Sequence, residues 1–132
     1  MHALSYAIYA MIAASVLPFI TAGLSKLLGK FKLNDNHNPR EFQKNLTGIA
    51  ARAQAAQMNG YETLPVFLAA VLMAEYMVIN QHVINQLAWT YVLLRIFYIV
   101  TYLADLATLR SIIWLLGFAC PLLLLYMSAT AG

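Results

Sequence analysis

The sequence predicts an all-α integral membrane protein built as a four-transmembrane-helix bundle. Of its 132 residues, 62% are hydrophobic and only 10% are charged, and the mean hydropathy is +0.70. A soluble domain of this length needs far more charge to cover its surface. Four long apolar stretches account for most of the chain, and they lack the polar alternation of a transmembrane barrel. We therefore expect a single membrane domain over residues 1–132.

The first apolar stretch predicts a helix over residues 3–28. No lysine or arginine precedes it, and it is longer than the apolar core of a secretory signal peptide. We therefore expect it to be retained as the first membrane span. Pro18 lies inside this stretch and predicts a kink, because proline removes one helical hydrogen bond.

A helix-start signal predicts that the second helix covers residues 39–78. Asn38 can cap the helix, Pro39 suits the first helical position, and Glu41 can bond back to the cap. Such a helix is about 60 Å long, twice the thickness of the hydrocarbon layer. Because its first half is polar, it should project into water or bend. The candidate bend positions are Gly48, Gly60 and Pro65.

The last two apolar stretches predict helices over residues 84–104 and 111–129. Both have the length that a bilayer span requires. The final helix contains Pro121 and the single cysteine, Cys120. The cysteine and the three histidines show no metal-ligand spacing, so no metal site is expected.

The distribution of basic residues predicts the orientation in the membrane. The second connection has no lysine or arginine, whereas the first and third connections do. By the positive-inside tendency, those two connections face the cytoplasm and both termini lie outside it. The net charge of +3 therefore reflects orientation, and we expect no nucleic-acid partner. The basic residues on or beside the first connection are Lys26, Lys30, Lys32, Arg40, Lys44 and Arg52, and Arg110 lies on the third.

Polar side chains form one stripe on the second helix and another on the third. A charge in lipid is costly, so an ionisable residue within a span indicates a functional site when a partner is available. Helical spacing places the members of each set on one face. The stripe on the second helix comprises Arg52, Asn59 and Glu62, and the stripe on the third comprises Arg95, Tyr98, Tyr102 and Asp105.

Matched spacing predicts how the two stripes face each other. Ten positions separate Arg52 from Glu62, and ten separate Arg95 from Asp105. Between antiparallel helices, one register then pairs Arg52 with Asp105 and Glu62 with Arg95, about 15 Å apart along the axis. The same register sets Asn59 level with Tyr98.

Two interpretations of the Glu62–Arg95 pair remain open. In the first, the two charges only neutralise each other and lock the bundle. In the second, they belong to a ligand site, because the same layer holds more donors and acceptors than a locking pair needs. These additional groups belong to Gln57, Asn59, Tyr98 and Tyr102.

Two motifs in this order resemble those of the MAPEG superfamily, the membrane-associated proteins of eicosanoid and glutathione metabolism. The resemblance covers nearly the whole chain and includes its four predicted spans. On the second helix the motif is Arg52-x-x-x-Ala56-Gln57-x-Asn59-x-x-Glu62-x-x-Pro65-x-Phe67. On the third helix and the start of the fourth it is Arg95-x-x-Tyr98-x-x-x-Tyr102, followed by Arg110-Ser111.

The resemblance implies a homotrimer that binds glutathione as co-substrate between neighbouring subunits. It implies that Arg110 supports the glutathione thiolate as the catalytic residue, with Ser111 nearby. The sequence departs from the resemblance at Ala55, where animal members carry an arginine. The residues expected to bind glutathione are Lys26, Arg52, Gln57, Asn59, Glu62, Arg95, Tyr98 and Tyr102.

On this basis we expect a membrane-bound glutathione S-transferase, with glutathione-dependent peroxidase activity as a variant of the same chemistry. The partners would be membrane lipid, glutathione and a hydrophobic electrophile that arrives through the bilayer. The alternative is a catalytically silent MAPEG-fold scaffold or lipid-binding protein, which Ala55 favours. A small transporter subunit is a weaker alternative, because the first and fourth apolar stretches offer almost no polar residues to line a path.

Overall fold

The computed structural model describes residues 2–131, which form four long helices, one short helix and a 3-10 turn. No strand occurs within this range. In chain order the helices are α1 (Ala3–Leu28), α2 (Pro39–Lys44), α3 (Gly48–Tyr76), α4 (Gln81–Leu103) and α5 (Ala107–Thr130), and the 3-10 turn is Leu33–His37.

Three of these helices, α1, α4 and α5, are long and apolar enough to cross a membrane. The prediction of an all-helical fold is therefore confirmed for the described part of the chain, and these three helices are candidate membrane spans. Helix α3 is longer than any of the three, with 29 residues, but it carries more polar side chains. That α3 forms a fourth span stays a prediction.

The second predicted helix is divided into two. Asn38 caps α2 as expected, accepting a hydrogen bond from the Glu41 backbone N–H at 3.2 Å, and Pro39 takes the first helical position. Helix α2 nevertheless ends after six residues, and α3 begins at Gly48. Gly48 has φ +61°, a left-handed conformation that glycine adopts without steric cost. Of the three candidate bend positions, Gly48 adjoins the break, and Gly60 and Pro65 lie within the continuous helix α3.

The last two helices begin earlier than predicted. Helix α4 starts at Gln81 because the Asn80 side chain caps it, accepting from the backbone N–H groups of His82 and Val83. Helix α5 starts at Ala107, so Arg110 lies within its first turns instead of before them. Both predicted starts were placed too late because they followed hydropathy, which does not register polar residues in the first turn of a helix.

Small side chains allow the long helices to approach one another closely. Helix α1 packs against α3 and α4, α3 also packs against α4 and α5, and α4 packs against α5. Close backbone approach is the usual basis of helix association within membranes. The buried alanines at these contacts are Ala7, Ala10 and Ala14 of α1, Ala53, Ala56, Ala70 and Ala74 of α3, and Ala88 of α4.

Two glycines of the first helix region should respond oppositely to substitution by alanine. A Cβ at Gly29 would overlap the Leu46 side chain and lie 3.0 Å from the Ser25 carbonyl oxygen, so Gly29→Ala should destabilise the protein by about 1–3 kcal/mol. At Gly23, inside α1, a Cβ meets nothing within 4 Å, so Gly23→Ala should stabilise it by about 0.5–1 kcal/mol. Unfolding of the purified variants in detergent measures both. Equal shifts for the two variants would contradict the packing described here.

Candidate functional site

Two hydrogen bonds between side chains show how α3 lies against α4. The Thr63 and Tyr91 hydroxyl groups are 2.9 Å apart and buried. Four residues away on each helix, the Arg95 Nη1 group donates to Asn59 Oδ1 at 2.9 Å. Because the two spacings are equal and opposite in direction, both bonds belong to one antiparallel register.

This register differs by three residues from the one that the charges predict. Asn59, not Glu62, lies opposite Arg95, a displacement of about 4.5 Å along α3. On the same buried face, the Phe67 ring stacks on the Tyr91 ring with centroids 4.1 Å apart. Equal spacing of four charged residues was therefore not sufficient to identify the pairing.

The predicted direct ion pair between Glu62 and Arg95 is wrong. Arg95 is buried, with only 5% of its surface exposed, and within the described residues its Nη2 group has no hydrogen-bond partner. Glu62 is exposed and connects to Arg95 only through Asn59, whose Nδ2 donates to Glu62 Oε2 at 3.4 Å. The amide of Asn59 thus bridges the two charges, because an amide donates at one atom and accepts at the other.

The second predicted pair, Arg52 with Asp105, does not form either. The Arg52 guanidinium donates two long hydrogen bonds, of 3.4 and 3.3 Å, to the carbonyl oxygen of Leu103. Leu103 is the last residue of α4, where carbonyl groups lack helical partners and a cation is favourable. Arg52 therefore ties α3 to the end of α4.

Arginine and tyrosine side chains alternate from the middle of α4 to the start of α5. The Arg95 guanidinium carbon lies 4.2 Å from the centroid of the Tyr98 ring. The Tyr98 ring meets the Tyr102 ring edge to face at 5.7 Å, and the Arg110 guanidinium carbon lies 4.4 Å from the Tyr102 centroid. Each cation over an aromatic face is stabilised electrostatically. The two tyrosines thus hold both guanidinium groups in place.

Helices α3, α4 and α5 together form an open cleft of about 390 Å³ beside this arrangement. Arg95 and Tyr102 stand behind its wall, where they contact Asn59, Tyr98 and Arg110. The sequence interpretation did not include Trp114 or Leu115. Trp114 could have been found, since it follows Arg110 by four positions and so shares its helix face. The lining residues are Asn59, Tyr98, Arg110, Ser111, Trp114 and Leu115.

Besides Arg95 and Tyr102, four more of the residues expected to bind glutathione lie outside the lining of this cleft. Two of them, Arg52 and Glu62, make the contacts described above. The Lys26 ammonium lies 5.0 Å from the centroid of the Phe31 ring. The Gln57 side chain is buried, and its Oε1 accepts a hydrogen bond of 2.9 Å from Gln43. Within a single subunit, then, Lys26, Arg52, Gln57 and Glu62 do not converge on the cleft.

The cleft is suited to an anion. Arg110 supplies a guanidinium at its wall, and it lies in the first turn of α5, near the positive end of the helix dipole. The Ser111 hydroxyl and the Asn59 amide add neutral hydrogen-bonding groups. Trp114 and Leu115 make the remaining wall apolar. A molecule with an anionic end and an apolar reaction partner would match both parts.

Comparison with known proteins gives one result. The sequence profile of the MAPEG family matches residues 6–130, nearly the whole chain. No curated protein and no solved structure gives a significant match.

Proposed function

The chain belongs to the MAPEG family, and we propose that it is a membrane-bound glutathione S-transferase that conjugates glutathione to hydrophobic electrophiles. The same site could reduce hydroperoxides with glutathione. The observation that carries this proposal is the position of Arg110, stacked on Tyr102 at the wall of a cleft that Asn59 and Tyr98 also line.

In the proposed reaction the glutathione sulfur attacks as a thiolate. A free thiol has a pKa of about 8.5, and only its anion is a good nucleophile. A guanidinium within hydrogen-bond reach favours the anion, as does the N-terminal end of a helix. Arg110 would supply the first and α5 the second, with the Ser111 hydroxyl as a further donor. The sulfur then bonds to carbon of the electrophile, the leaving group departs with its electron pair, and the thiol proton goes to solvent.

The remaining polar groups would bind the tripeptide. Asn59 and Tyr98 line the cleft directly, and Arg95 holds Asn59 in position. Glutathione is zwitterionic, so cations and a carboxylate are both suitable partners for it. We propose that the other four expected residues contact glutathione held at the boundary with a neighbouring subunit. These are Lys26, Arg52, Gln57 and Glu62, and Tyr102 would act through its contact with Arg110.

A surface stripe on α3 supports assembly as a homotrimer. Its residues recur alternately four and three positions apart, which is the spacing of a helix that packs in a coiled coil. In the isolated chain they are exposed or half-buried. If α3 packs on its copies, its polar groups are shielded from lipid, and α3 can serve as a fourth span. The stripe comprises Ala51, Ala55, Met58, Glu62, Pro65, Ala69, Leu72 and Tyr76.

A catalytically silent scaffold or lipid-binding protein is the second candidate. Two structural observations favour it in addition to Ala55. Arg52 contacts the end of α4, and Gln57 contacts Gln43, so both make contacts within the subunit that do not involve a ligand. If these contacts persist in the assembly, fewer groups remain for the tripeptide.

Turnover and binding together distinguish the candidates. Purified protein is mixed with glutathione and a reactive aryl halide, and thermal unfolding is followed with glutathione or with S-methylglutathione, which lacks the thiol. A transferase should turn over with glutathione and be stabilised by both, because a ligand that binds only the folded state raises its stability. If neither is seen, the result supports the silent candidate, in which too few groups remain to bind the tripeptide. Stabilisation without turnover would show that glutathione binds without the proposed transfer chemistry.

Oligomeric state is a separate measurement. The mass of the protein in detergent, with the detergent contribution subtracted, should correspond to three chains. Ala69→Lys on the α3 stripe would place three lysines close together where the wild type has neutral side chains, and it should lower that mass. A monomer for the wild-type protein would contradict the trimer.

A further inference from the structure

Four exposed cations lie on the connection between α1 and α3. We call Lys30, Lys32, Arg40 and Lys44 the basic collar. They are half of the eight lysines and arginines in the chain. The other four contact aromatic rings, an amide or a backbone carbonyl, as described above for Lys26, Arg52, Arg95 and Arg110. Within residues 2–131, the side chains of the collar make no such contact with an aromatic ring, an amide or a backbone carbonyl.

The two acidic residues of the same connection offset only half of the collar's positive charge. Asp35 Oδ2 accepts a hydrogen bond of 2.7 Å from the Lys32 backbone N–H, which closes the 3-10 turn. Glu41 lies in the first turn of α2, where negative charge is favourable. Both acids thus have local structural roles, and the connection retains an excess of positive charge.

Apolar side chains place the collar at a boundary between lipid and water. Leu27, at the end of α1, has 77% of its surface exposed, and Leu33 in the 3-10 turn has 89% exposed. Exposed leucines beside lysines are typical of a segment at the membrane interface. At the other end of the bundle the connection over residues 77–80 has no basic residue, so the charge is confined to one side of the membrane.

The connection is fixed to the bundle and is not a free tail. The Gln43 Nε2 group donates to Ser25 Oγ of α1 and to Gln57 Oε1 of α3, at 2.9 Å each. The Phe31 and Phe42 rings meet edge to face at 4.9 Å. Because the backbone that carries the cations is ordered before a ligand arrives, less conformational entropy is lost on binding.

We propose that the basic collar binds the headgroups of anionic phospholipids in the adjacent leaflet. Clusters of four or more basic residues next to a membrane span attract such lipids through their negative surface potential. An open cleft of about 620 Å³ adjoins the collar, and its lining includes Lys30, Asn34 and Asn38 together with the carboxylates of Asp35 and Glu41. The uncharged glycerol of a headgroup can enter this cleft while its phosphate contacts the exposed cations outside it. This interaction is independent of the glutathione chemistry proposed above.

Lipid selection by a charge variant tests the proposal. The wild-type protein and a Lys30→Gln, Lys32→Gln variant are reconstituted in small nanodiscs of phosphatidylcholine with phosphatidylglycerol, and the lipid composition around each is measured. The wild-type protein should enrich phosphatidylglycerol. The variant should lose about fivefold in enrichment for each cation removed, and raising the salt concentration should weaken enrichment by the wild type.

A matched control changes the net charge equally at the opposite end. His82 and Gln86 are exposed on the first turns of α4, and replacing both with glutamate also lowers the net charge by about two units at neutral pH. This variant should enrich phosphatidylglycerol as the wild type does. Equal loss of enrichment in both variants would overturn the proposal. It would also be overturned if soluble glycerol phosphate, added to the protein in neutral nanodiscs, raised the thermal stability of the protein as much as phosphatidylglycerol does. Glutathione turnover by the collar variant should match the wild type, which separates this result from the proposed function.

Discussion

Arg110→Ala should lower the rate of glutathione conjugation by about 10²–10³-fold, the loss typical for removal of one group that stabilises a reacting anion. Arg110 lies at the wall of the cleft and, through Tyr102, is held in a single position. Without it the thiolate would lose its nearest cation, so the fraction of bound glutathione that is ionised should fall. Turnover of an aryl halide measures the rate, and the ultraviolet absorbance of the bound thiolate measures its ionisation.

Three further variants separate charge from position. Arg110→Lys keeps the positive charge but loses the planar group that stacks on the ring, so its activity should lie between wild type and Arg110→Ala. Tyr102→Phe keeps the ring face and should remain close to wild type, whereas Tyr102→Leu removes the contact and should lose activity. If Arg110→Ala and wild type conjugate glutathione at the same rate and bind it equally, Arg110 is not the catalytic residue.

Asn59→Ala should destabilise the protein by about 2–3 kcal/mol, the cost of leaving a buried charged group without its hydrogen-bond partner. Within the described residues, Asn59 is the only hydrogen-bond partner of the buried Arg95 guanidinium, which it contacts at 2.9 Å. By contrast, Glu62→Gln should change stability little, because an amide oxygen can still accept from Asn59 Nδ2. Unfolding of each variant in detergent provides the measurement.

A double variant tests whether the cost arises from the buried charge. In Asn59→Ala with Arg95→Met, both polar groups are replaced by apolar ones, so the protein should recover part of the stability that Asn59→Ala loses. If Glu62→Gln is as damaging as Asn59→Ala, a direct contact between Glu62 and Arg95 exists after all. Additive losses in the double variant would show that the two side chains do not act together.

The α3–α4 contact illustrates how far the sequence could go. Hydropathy identified the apolar stretches, and the Asn38-Pro39 start was recognised from local chemistry alone, because a cap and the first helical turn involve adjacent residues. The division of the second helix near Gly48 was among the predicted alternatives, since glycine marks positions where the backbone can turn. Whether the second helix would break near Gly48, at Gly60 or at Pro65 depended on how the connection packs against α1.

The candidate site was predicted in some of its members and not in its contacts. Asn59, Tyr98, Arg110 and Ser111 do line one cleft. Arg52 and Gln57 were assigned to the ligand, but they contact Leu103 and Gln43. Polar side chains within a span find partners on neighbouring helices or in a ligand, and the sequence does not distinguish the two.

By itself the sequence determined the membrane character, the approximate helices and the family, because these depend on composition, on local capping and on motifs read along the chain. Only the tertiary structure decided that Asn59 lies opposite Arg95 and that Tyr102 supports Arg110. A displacement of three residues between two antiparallel helices changes every partner across their contact. It is set by the packing of buried groups such as Thr63 and Tyr91, and charge spacing along one chain contains no record of that packing.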